Sequence, residues 1–146
     1  MQQIQGGFLI SKIHQLSGRI FDRKLKDYEL NHFNPAQGRI LFVLWQNDGI
    51  PIRELAKQTA LEKSTLTSML DRLEQAGYLK RTPSKEDRRQ ILIELTGKSR
   101  ELKLKYEAVS EEMISLFYRG FSEAEIMVFE NCLVRIFENL DKHGKG

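Results

Sequence analysis

The sequence predicts a mainly α-helical chain with one small β-hairpin, and three observations lead to this fold class. Apolar residues recur at helical spacing over most of the 146 residues. One interval, 78–95, is strand-like at both ends and strongly polar in the middle. The length suits one domain, and the single cysteine excludes both a disulfide framework and a thiolate zinc site. A chain of this length can be held together by an apolar core alone.

The first two helices are predicted from apolar spacing and from the residues at their ends. The stripe over residues 8–30 comprises Phe8, Leu9, Ile13, Leu16, Ile20, Phe21 and Leu25. Asn34 followed by Pro35 is typical of a helix start, because asparagine caps free N–H groups and proline suits the first helical position. Gly49 is expected to end this helix near Asn47, since glycine adopts the positive φ that such an ending requires. The residues expected on its buried side are Ile40, Leu41, Leu44 and Trp45.

A short helix, a turn and a longer helix come next. The short helix begins near Pro51, and the longer one spans 63–76 before Gly77 ends it. Glu62 precedes the longer helix, where serine, threonine, aspartate or asparagine would be a better cap. The residues expected to face inward from these two helices are Leu55, Ala56, Leu66, Leu70 and Leu73.

The chain continues with the predicted hairpin and two long helices. Strands are expected at 78–82 and 90–95, joined by the charged loop 83–89, which is too polar for a strand. The first long helix follows the second strand directly. The second follows a capping box, in which Ser122 and Glu125 exchange hydrogen bonds.

This order of elements is that of a winged helix-turn-helix. In such a fold the longer helix enters a major groove about 12 Å wide, and the hairpin loop reaches the neighbouring minor groove or the backbone. The whole chain has 23 basic and 20 acidic residues, an excess too small to indicate nucleic acid by itself. Between Lys63 and Arg89, however, seven basic and four acidic residues reproduce that entire excess of three. The residues expected to contact DNA are Lys63, Ser64, Thr65, Thr67, Ser68, Arg72, Lys85, Arg88 and Arg89.

Several short motifs together resemble the MarR family of bacterial and archaeal transcription regulators. They are Leu55–Ala56, Lys63–Thr67, Leu70–Glu74, Gly77–Leu79, Arg81, Asp87–Arg89 and Leu95–Thr96. The resemblance extends over nearly the full chain, and the Asp-Arg-Arg wing followed by Leu-Thr is its most specific part. Two residues depart from the family pattern: Ser99, where many members have glycine, and Glu62, where a hydroxyl residue or aspartate is usual.

The resemblance implies a homodimer that binds a palindromic operator in double-stranded DNA. It divides each chain into a DNA-binding lobe, 35–95, and a helical dimerisation lobe, 1–34 and 96–146. In the family's wing motif, Arg89 would enter the minor groove and Asp87 would hold the basic residues of the wing in position. Arg72 would lie near the base of the wing as a partner of Asp87.

The resemblance also implies an effector pocket between the dimerisation helices and the winged lobe, which in the family often takes small aromatic or phenolic acids. The residues that would line it are His14, Gly18, Phe42 and Trp45. Glycine inside a helix costs roughly 1 kcal/mol relative to alanine, so Gly18 needs a reason. Close helix packing is the interpretation that we favour, and room for a ligand is the alternative. Dimerisation is expected because the apolar stripes exceed what one small winged domain covers. The residues assigned to the dimer interface are Leu9, Ile13, Leu16, Ile126, Leu133, Ile136 and Leu140.

Each of these sites also has a plainer interpretation. A basic loop is commonly an ordinary solvated loop, hydroxyl residues near a helix start are commonly plain surface residues, and apolar stripes serve equally well as an intramolecular core. Cys132 is expected in the core as a small apolar residue, without a redox role. His14, His32 and His143 lack the paired spacing of a metal site, so neither a metal nor a cofactor is expected.

The leading hypothesis is therefore a cytoplasmic DNA-binding transcriptional repressor that is relieved by a small effector. The alternative is a winged-helix interaction module that binds RNA or a protein. An enzyme is the weakest hypothesis, because the sequence has no glycine-rich phosphate loop, nucleophile–histidine pair or metal-ligand cluster. No membrane association is expected, since no segment approaches the roughly 18 apolar residues of a membrane span and the first thirteen residues lack the pattern of a signal peptide.

Overall fold

The computed structural model describes residues 3–144, and it is mainly helical with one small antiparallel sheet, as the sequence predicts. Its helices are α1 (Gly6–Asp27), α2 (Pro35–Gln46), α3 (Ile52–Thr59), α4 (Lys63–Gln75), α5 (Gly97–Phe117) and α6 (Glu123–Gly144). Its strands are β1 (Ile50–Pro51), β2 (Leu79–Pro83) and β3 (Ile91–Leu95). The two ends of the predicted dimerisation lobe, residues 1–2 and 145–146, lie outside the described residues.

The helices begin and end at the predicted signals. The Asn34 side chain accepts a hydrogen bond from the backbone N–H of Gln37 at 2.8 Å, and the Gln37 side chain accepts one from the N–H of Asn34 at 2.9 Å. The sequence analysis predicted the cap by Asn34 but not the hydrogen bond accepted by the Gln37 side chain. Gly49 and Gly77 both take the expected positive φ, 71° and 85°. Ala60 ends α3 in the same left-handed region, at φ 56°, although no glycine marks that end in the sequence.

The sheet has three strands in the order β1–β3–β2, and both neighbouring pairs are antiparallel. The predicted hairpin is confirmed, with Leu79 opposite Leu95 and Pro83 opposite Ile91. Strand β1 was not predicted, because two residues, one of them proline, leave no alternation to detect. Asp48 supports this edge of the sheet, since its carboxylate accepts a hydrogen bond from the backbone N–H of Leu95 at 2.8 Å.

The described chain divides at Val109 into two compact units. In the first unit, α2 packs against α3, α4 and β3 around one apolar core. Its large, fully buried apolar side chains are Leu30, Ile40, Leu41, Leu44, Leu55, Leu66, Leu70, Leu73, Leu79, Ile93 and Val109. These include every leucine predicted to face inward from α3 and α4, whereas Ala56 and Trp45 are half-buried. None of the helices within residues 3–144 is long and apolar enough to cross a membrane.

The second unit consists of the rest of α5 and of α6, separated by a turn in which Gly120 has φ 85°. Ser122 and Glu125 form the predicted capping box, with hydrogen bonds of 2.9 and 3.1 Å. The Glu125 carboxylate accepts from the backbone N–H of Ser122, and this bond lowers the pKa of Glu125 below its ordinary range. Tyr118 donates to Glu130 at 2.6 Å, and partial burial together with this bond raises the pKa of Tyr118 to about 12.

Candidate nucleic-acid interface

Helix α4 has a polar face that is distinct from its buried face. The buried positions are Leu66, Met69, Leu70 and Leu73. All six residues of this helix that are predicted to contact DNA are exposed: Lys63, Ser64, Thr65, Thr67, Ser68 and Arg72. Thr67 Oγ1 donates to the carbonyl oxygen of Lys63 at 2.9 Å. Its hydroxyl can therefore accept a hydrogen bond from a further partner but cannot donate one. Glu62, just before this face, is exposed and makes no capping hydrogen bond.

The wing loop, residues 84–90, is closed by hydrogen bonds within itself. The backbone N–H of Ser84 donates to the carbonyl oxygen of Gln90 at 3.0 Å, and the N–H of Gln90 donates to that of Asp87 at 2.9 Å. Ser84 is buried, and its hydroxyl accepts from the backbone N–H groups of Glu86 and Asp87 at 3.3 Å each. The conformation of the loop is therefore set by the backbone, by Ser84 and by the Asp87 carboxylate, which accepts from the backbone N–H of Arg89.

The basic side chains of the wing, Lys85, Arg88 and Arg89, are all exposed. The Asp87 carboxylate accepts from the backbone N–H of Arg89 at 3.0 Å and from its Nε at 3.3 Å, and the Arg89 side chain is 92% exposed. The ion pair between Arg72 and Asp87 that the family resemblance implies is not formed among the described residues. Asp87 is engaged by Arg89, which lies only two residues away in the same loop.

Arg81, on β2 at the base of the wing, was not predicted as a site residue. Its guanidinium donates to Asp71 at 2.9 Å and to Glu74 at 2.8 Å, both on α4. Its backbone N–H donates to the other carboxylate oxygen of Glu74 at 3.1 Å. Partial burial opposes its charge, but the hydrogen bonds to Asp71 and Glu74 outweigh this effect and raise the pKa of Arg81 above its ordinary value. The signal in the sequence is the three-residue spacing of the two acids, which puts both on one side of a helix.

The C-terminal end of α4 is joined to the start of α5. Thr96 Oγ1 donates to the carbonyl oxygen of Gly77 at 2.6 Å, and Lys98 Nζ donates to that of Ala76 at 2.8 Å. Lys98 Nζ also lies 4.5 Å from the centre of the Tyr78 ring, a cation–π contact. A lysine in this place favours the helix end, because the last carbonyl groups of a helix carry partial negative charge.

The residues predicted to line an effector pocket lie in two pairs. His14 and Gly18 are four residues apart on α1, and Phe42 and Trp45 are three apart on α2. No hydrogen bond or ring contact found within residues 3–144 joins one pair to the other. A methyl group built on Gly18 would meet nothing within 4 Å beyond the nearby backbone of its own helix, so the expectation of close packing against another element is wrong within the described chain.

Tyr106, on α5, is a buried residue near this region that was not predicted. Its ring lies 4.9 Å from that of Trp45 and 6.0 Å from that of Phe33, measured between ring centres. Its hydroxyl has no hydrogen-bond partner in the part of the chain that the structure describes. Burial raises the pKa of Tyr106, so the phenol stays protonated and able to donate. No group of three or more histidine, cysteine or acidic side chains in the described chain is placed to hold a metal ion.

The residues assigned to a dimer interface are mostly exposed in the single chain. The exposed ones are Leu9, Ile13, Leu16, Ile136 and Leu140, and the half-buried ones are Ile126 and Leu133. No residue of α6 is buried, so an intramolecular core does not account for its apolar stripe. Near the end of α5, an open apolar depression of about 220 Å³ is lined by Met113, Ile114, Phe117 and Tyr118. The expectation that Cys132 lies in a core is wrong, because α6 has no buried face and the thiol is exposed.

Comparisons with known proteins connect this chain to transcriptional regulators. The sequence model of the MarR family matches residues 33–91, from just before α2 to the first residue of β3. The HTH-type transcriptional regulator TtmR of Methylorubrum extorquens is 36% identical over 92 residues, which are 63% of this chain and 46% of that protein. The chain therefore spans about half the length of this relative. The organic hydroperoxide resistance transcriptional regulator of Bacillus subtilis is 31% identical over 100 residues, which are 68% of this chain and 67% of that one.

A solved structure has the same fold. It is that of Bordetella bronchiseptica BpsR, in a study of the regulation of its DNA binding by 6-hydroxynicotinic acid. The match covers 92% of this chain and 93% of that one, with a TM-score of 0.77 and 23% sequence identity. At this identity the likeness shows the fold alone, a winged helix flanked by long helices.

Proposed function

The chain belongs to the MarR family of transcriptional regulators, and we propose that it is a homodimeric repressor that binds a palindromic operator in double-stranded DNA. The observation that carries the proposal is the exposed polar face of α4 beside a wing loop that is closed by its own hydrogen bonds. Small hydroxyl residues allow a helix to approach a groove closely, and basic residues neutralise phosphates. Both properties meet here on neighbouring elements.

The proposed contacts follow from the chemistry of each element. The hydroxyl residues of α4 lie in the major groove, where Ser64, Thr65 and Ser68 donate to phosphates or contact base edges and Thr67, whose O–H is already used, accepts from a base edge. Lys63 and Arg72, near the two ends of that face, reach the phosphate backbone. Arg89 enters the adjacent minor groove, whose negative potential attracts arginine. Lys85 and Arg88 flank it and contribute charge, so that binding weakens as salt concentration rises.

Two copies of the chain are needed to read a palindrome. The exposed apolar residues of α1 and α6 support dimerisation, because monomeric proteins rarely leave such stripes in contact with water. A second copy would cover them through a symmetric interface. The dimer would then present two α4 helices to half-sites about 34–36 Å apart, one helical turn of DNA.

Repression follows from occupancy, because a dimer bound at a promoter excludes polymerase. An effector relieves it by changing the separation of the two α4 helices, so that both no longer enter successive grooves. A change of a few ångströms is sufficient, since the spacing of the half-sites is fixed by the DNA.

We propose a small aromatic or phenolic acid as the effector, bound near His14, Gly18, Phe42 and Trp45. The regulation of BpsR by 6-hydroxynicotinic acid supports this class of ligand in a protein of the same fold. The partnerless hydroxyl of Tyr106, beside Trp45, supplies a donor for a carboxylate. In a calorimetric titration with salicylate, we expect binding and a weaker affinity for operator DNA; the absence of both would contradict this class of effector.

Binding to the DNA upstream of the chain's own gene tests the proposed function. In a fluorescence anisotropy titration, the unchanged protein should prefer a palindromic duplex over RNA of the same length at moderate salt. Arg89→Ala should weaken duplex binding at least about tenfold and lower the salt slope by about one. Lys105→Ala, on the exposed side of α5, removes the same charge from a different element and should bind as before.

Equal binding to RNA, or a complex with a protein partner in place of DNA, would favour a winged-helix interaction module instead. Unchanged affinity and unchanged salt slope for Arg89→Ala would remove the wing from the proposed interface.

A further inference from the structure

Three hydrogen bonds join the base of the wing to α4, and all three involve Arg81. Two run from the guanidinium to Asp71 and Glu74, at 2.9 and 2.8 Å. The third runs from the backbone N–H of Arg81 to the second oxygen of Glu74, at 3.1 Å. Glu74 thus binds both the side chain and the backbone of the same strand residue. These bonds fix both the distance of β2 from α4 and its orientation relative to that helix.

The geometry depends on arginine in particular. A guanidinium is a rigid planar fork that donates to two carboxylates at once, whereas a lysine ammonium is a single point charge on a flexible stem. The Arg81 side chain is 27% exposed, less than those of Asp71 and Glu74. An isolated surface ion pair contributes little, but this one is a network with a backbone hydrogen bond.

The two terminal nitrogens of the guanidinium are already engaged with protein carboxylates. Arg81 is therefore poorly placed to bind a phosphate or a base. Its surroundings differ from those of Arg89, which is almost fully exposed and, within residues 3–144, is paired with Asp87 two residues away. The two arginines lie on the same hairpin, yet one faces the protein and the other faces solvent.

We propose that Arg81 is a positioning residue for DNA recognition, which fixes the wing relative to α4 so that the two elements enter neighbouring grooves together. This inference rests on the proposed DNA-binding function. The groove separation is set by the DNA, so a wing that swings relative to α4 loses the minor-groove contact while α4 keeps its own. Arg81 then acts through Arg89 and not through a contact of its own.

A double-mutant cycle between Arg81→Lys and Arg89→Ala tests the proposal. Arg81→Lys keeps the charge but removes the fork, and we expect operator affinity to fall on the order of tenfold and the salt slope to fall by about one, as for Arg89→Ala, because the same minor-groove contact is lost. In the Arg89→Ala background the same change should cost less than about twofold, because the contact that Arg81 positions is already absent. Lys80→Arg, the neighbouring exposed residue of β2, is the matched control and should bind normally.

Hydrogen exchange of the wing gives a measurement that is independent of DNA. The backbone amide of residue 81, which donates to Glu74, should exchange faster in Arg81→Lys, while the amides of the buried core keep their protection. Equal losses of affinity in both backgrounds, or a wild-type affinity for Arg81→Lys, would overturn the proposal and leave the DNA-binding function standing. Failure of the unchanged protein to bind any DNA would instead overturn the proposed function, and this inference with it.

Discussion

The indole nitrogen of Trp45 donates a hydrogen bond to the carbonyl oxygen of Ser99 at 3.3 Å. The bond joins α2 to the first turn of α5, and the indole ring packs at the same time against Tyr106. Ser99 is fully buried, and its hydroxyl donates to the carbonyl oxygen of Thr96 at 2.9 Å. Residue 99 therefore joins α2 to α5 through its backbone carbonyl, while its hydroxyl bonds within the start of α5.

Trp45→Phe should lower the free energy of unfolding by about 1 kcal/mol. The substitution keeps an aromatic ring but removes the indole N–H, which donates to the carbonyl oxygen of Ser99. Urea denaturation followed by circular dichroism measures the change. Phe42→Leu, a substitution of an exposed ring on the same helix, is the control and should alter stability little. An unchanged midpoint for Trp45→Phe would mean that the hydrogen bond contributes nothing to stability.

Tyr106→Phe and Tyr118→Phe are the same chemical change with opposite expected signs. The Tyr106 hydroxyl is buried without a partner in the described chain, so its removal should be neutral or should stabilise the protein by up to about 2 kcal/mol. The Tyr118 hydroxyl donates to Glu130, so its removal should destabilise by roughly 0.5–1.5 kcal/mol. Both free energies come from urea denaturation. A destabilised Tyr106→Phe would indicate that the phenol has a partner.

Leu140→Glu should convert the proposed dimer into monomers. Leu140 is 67% exposed in the single chain, and a glutamate there would be buried unpaired in a dimer, raising the dissociation constant at least about tenfold. Leu104→Glu, at 75% exposure on α5 and outside the predicted stripes, is a control of equal chemistry that should remain dimeric. Light scattering during size-exclusion chromatography separates the two outcomes. Dimers in both variants would place the interface away from Leu140.

Glu125 should make the stability of α6 depend on pH in the acid range. Its pKa is lowered in the folded protein, so its contribution is fully present above the ordinary value of 4.5 and is lost as the pH falls through the folded value. Glu125→Gln should therefore melt at a lower temperature than the unchanged protein at pH 7, and the gap should close as the pH falls through the lowered pKa of Glu125. Glu138→Gln, farther along the helix, should show no gap at neutral or acid pH. A gap that persists in acid would contradict an ionic origin.

Much of this fold could be predicted because its signals are local. Asn34 before Pro35 and the glycines after α2 and α4 mark helix boundaries within a few residues of chain, and the structure has them there. The leucines of α4 determine which side of that helix is buried, and hence which side is exposed. The buried side of a helix can be predicted from the spacing of its apolar residues without knowing the rest of the fold.

The parts that could not be predicted depend on contacts between distant residues. Strand β1 exists only because β3 pairs with it. The role of Arg81 depends on acids seven and ten residues earlier, which come within reach only when the strand lies along the helix. Cys132 was expected in a core because free cysteines usually are buried, a general tendency that does not take account of where α6 lies in the fold.

The wing owes its shape to the buried hydroxyl of Ser84, to the Asp87 carboxylate and to backbone hydrogen bonds. The exposed side chains at 85, 88 and 89 can therefore be exchanged without rebuilding the loop. A substitution at one of these positions leaves the frame of the loop intact, whereas a change at Ser84 removes the acceptor of two backbone N–H groups at once. Under the proposed function, the DNA contacts of the wing can therefore change through its exposed side chains while its frame is kept.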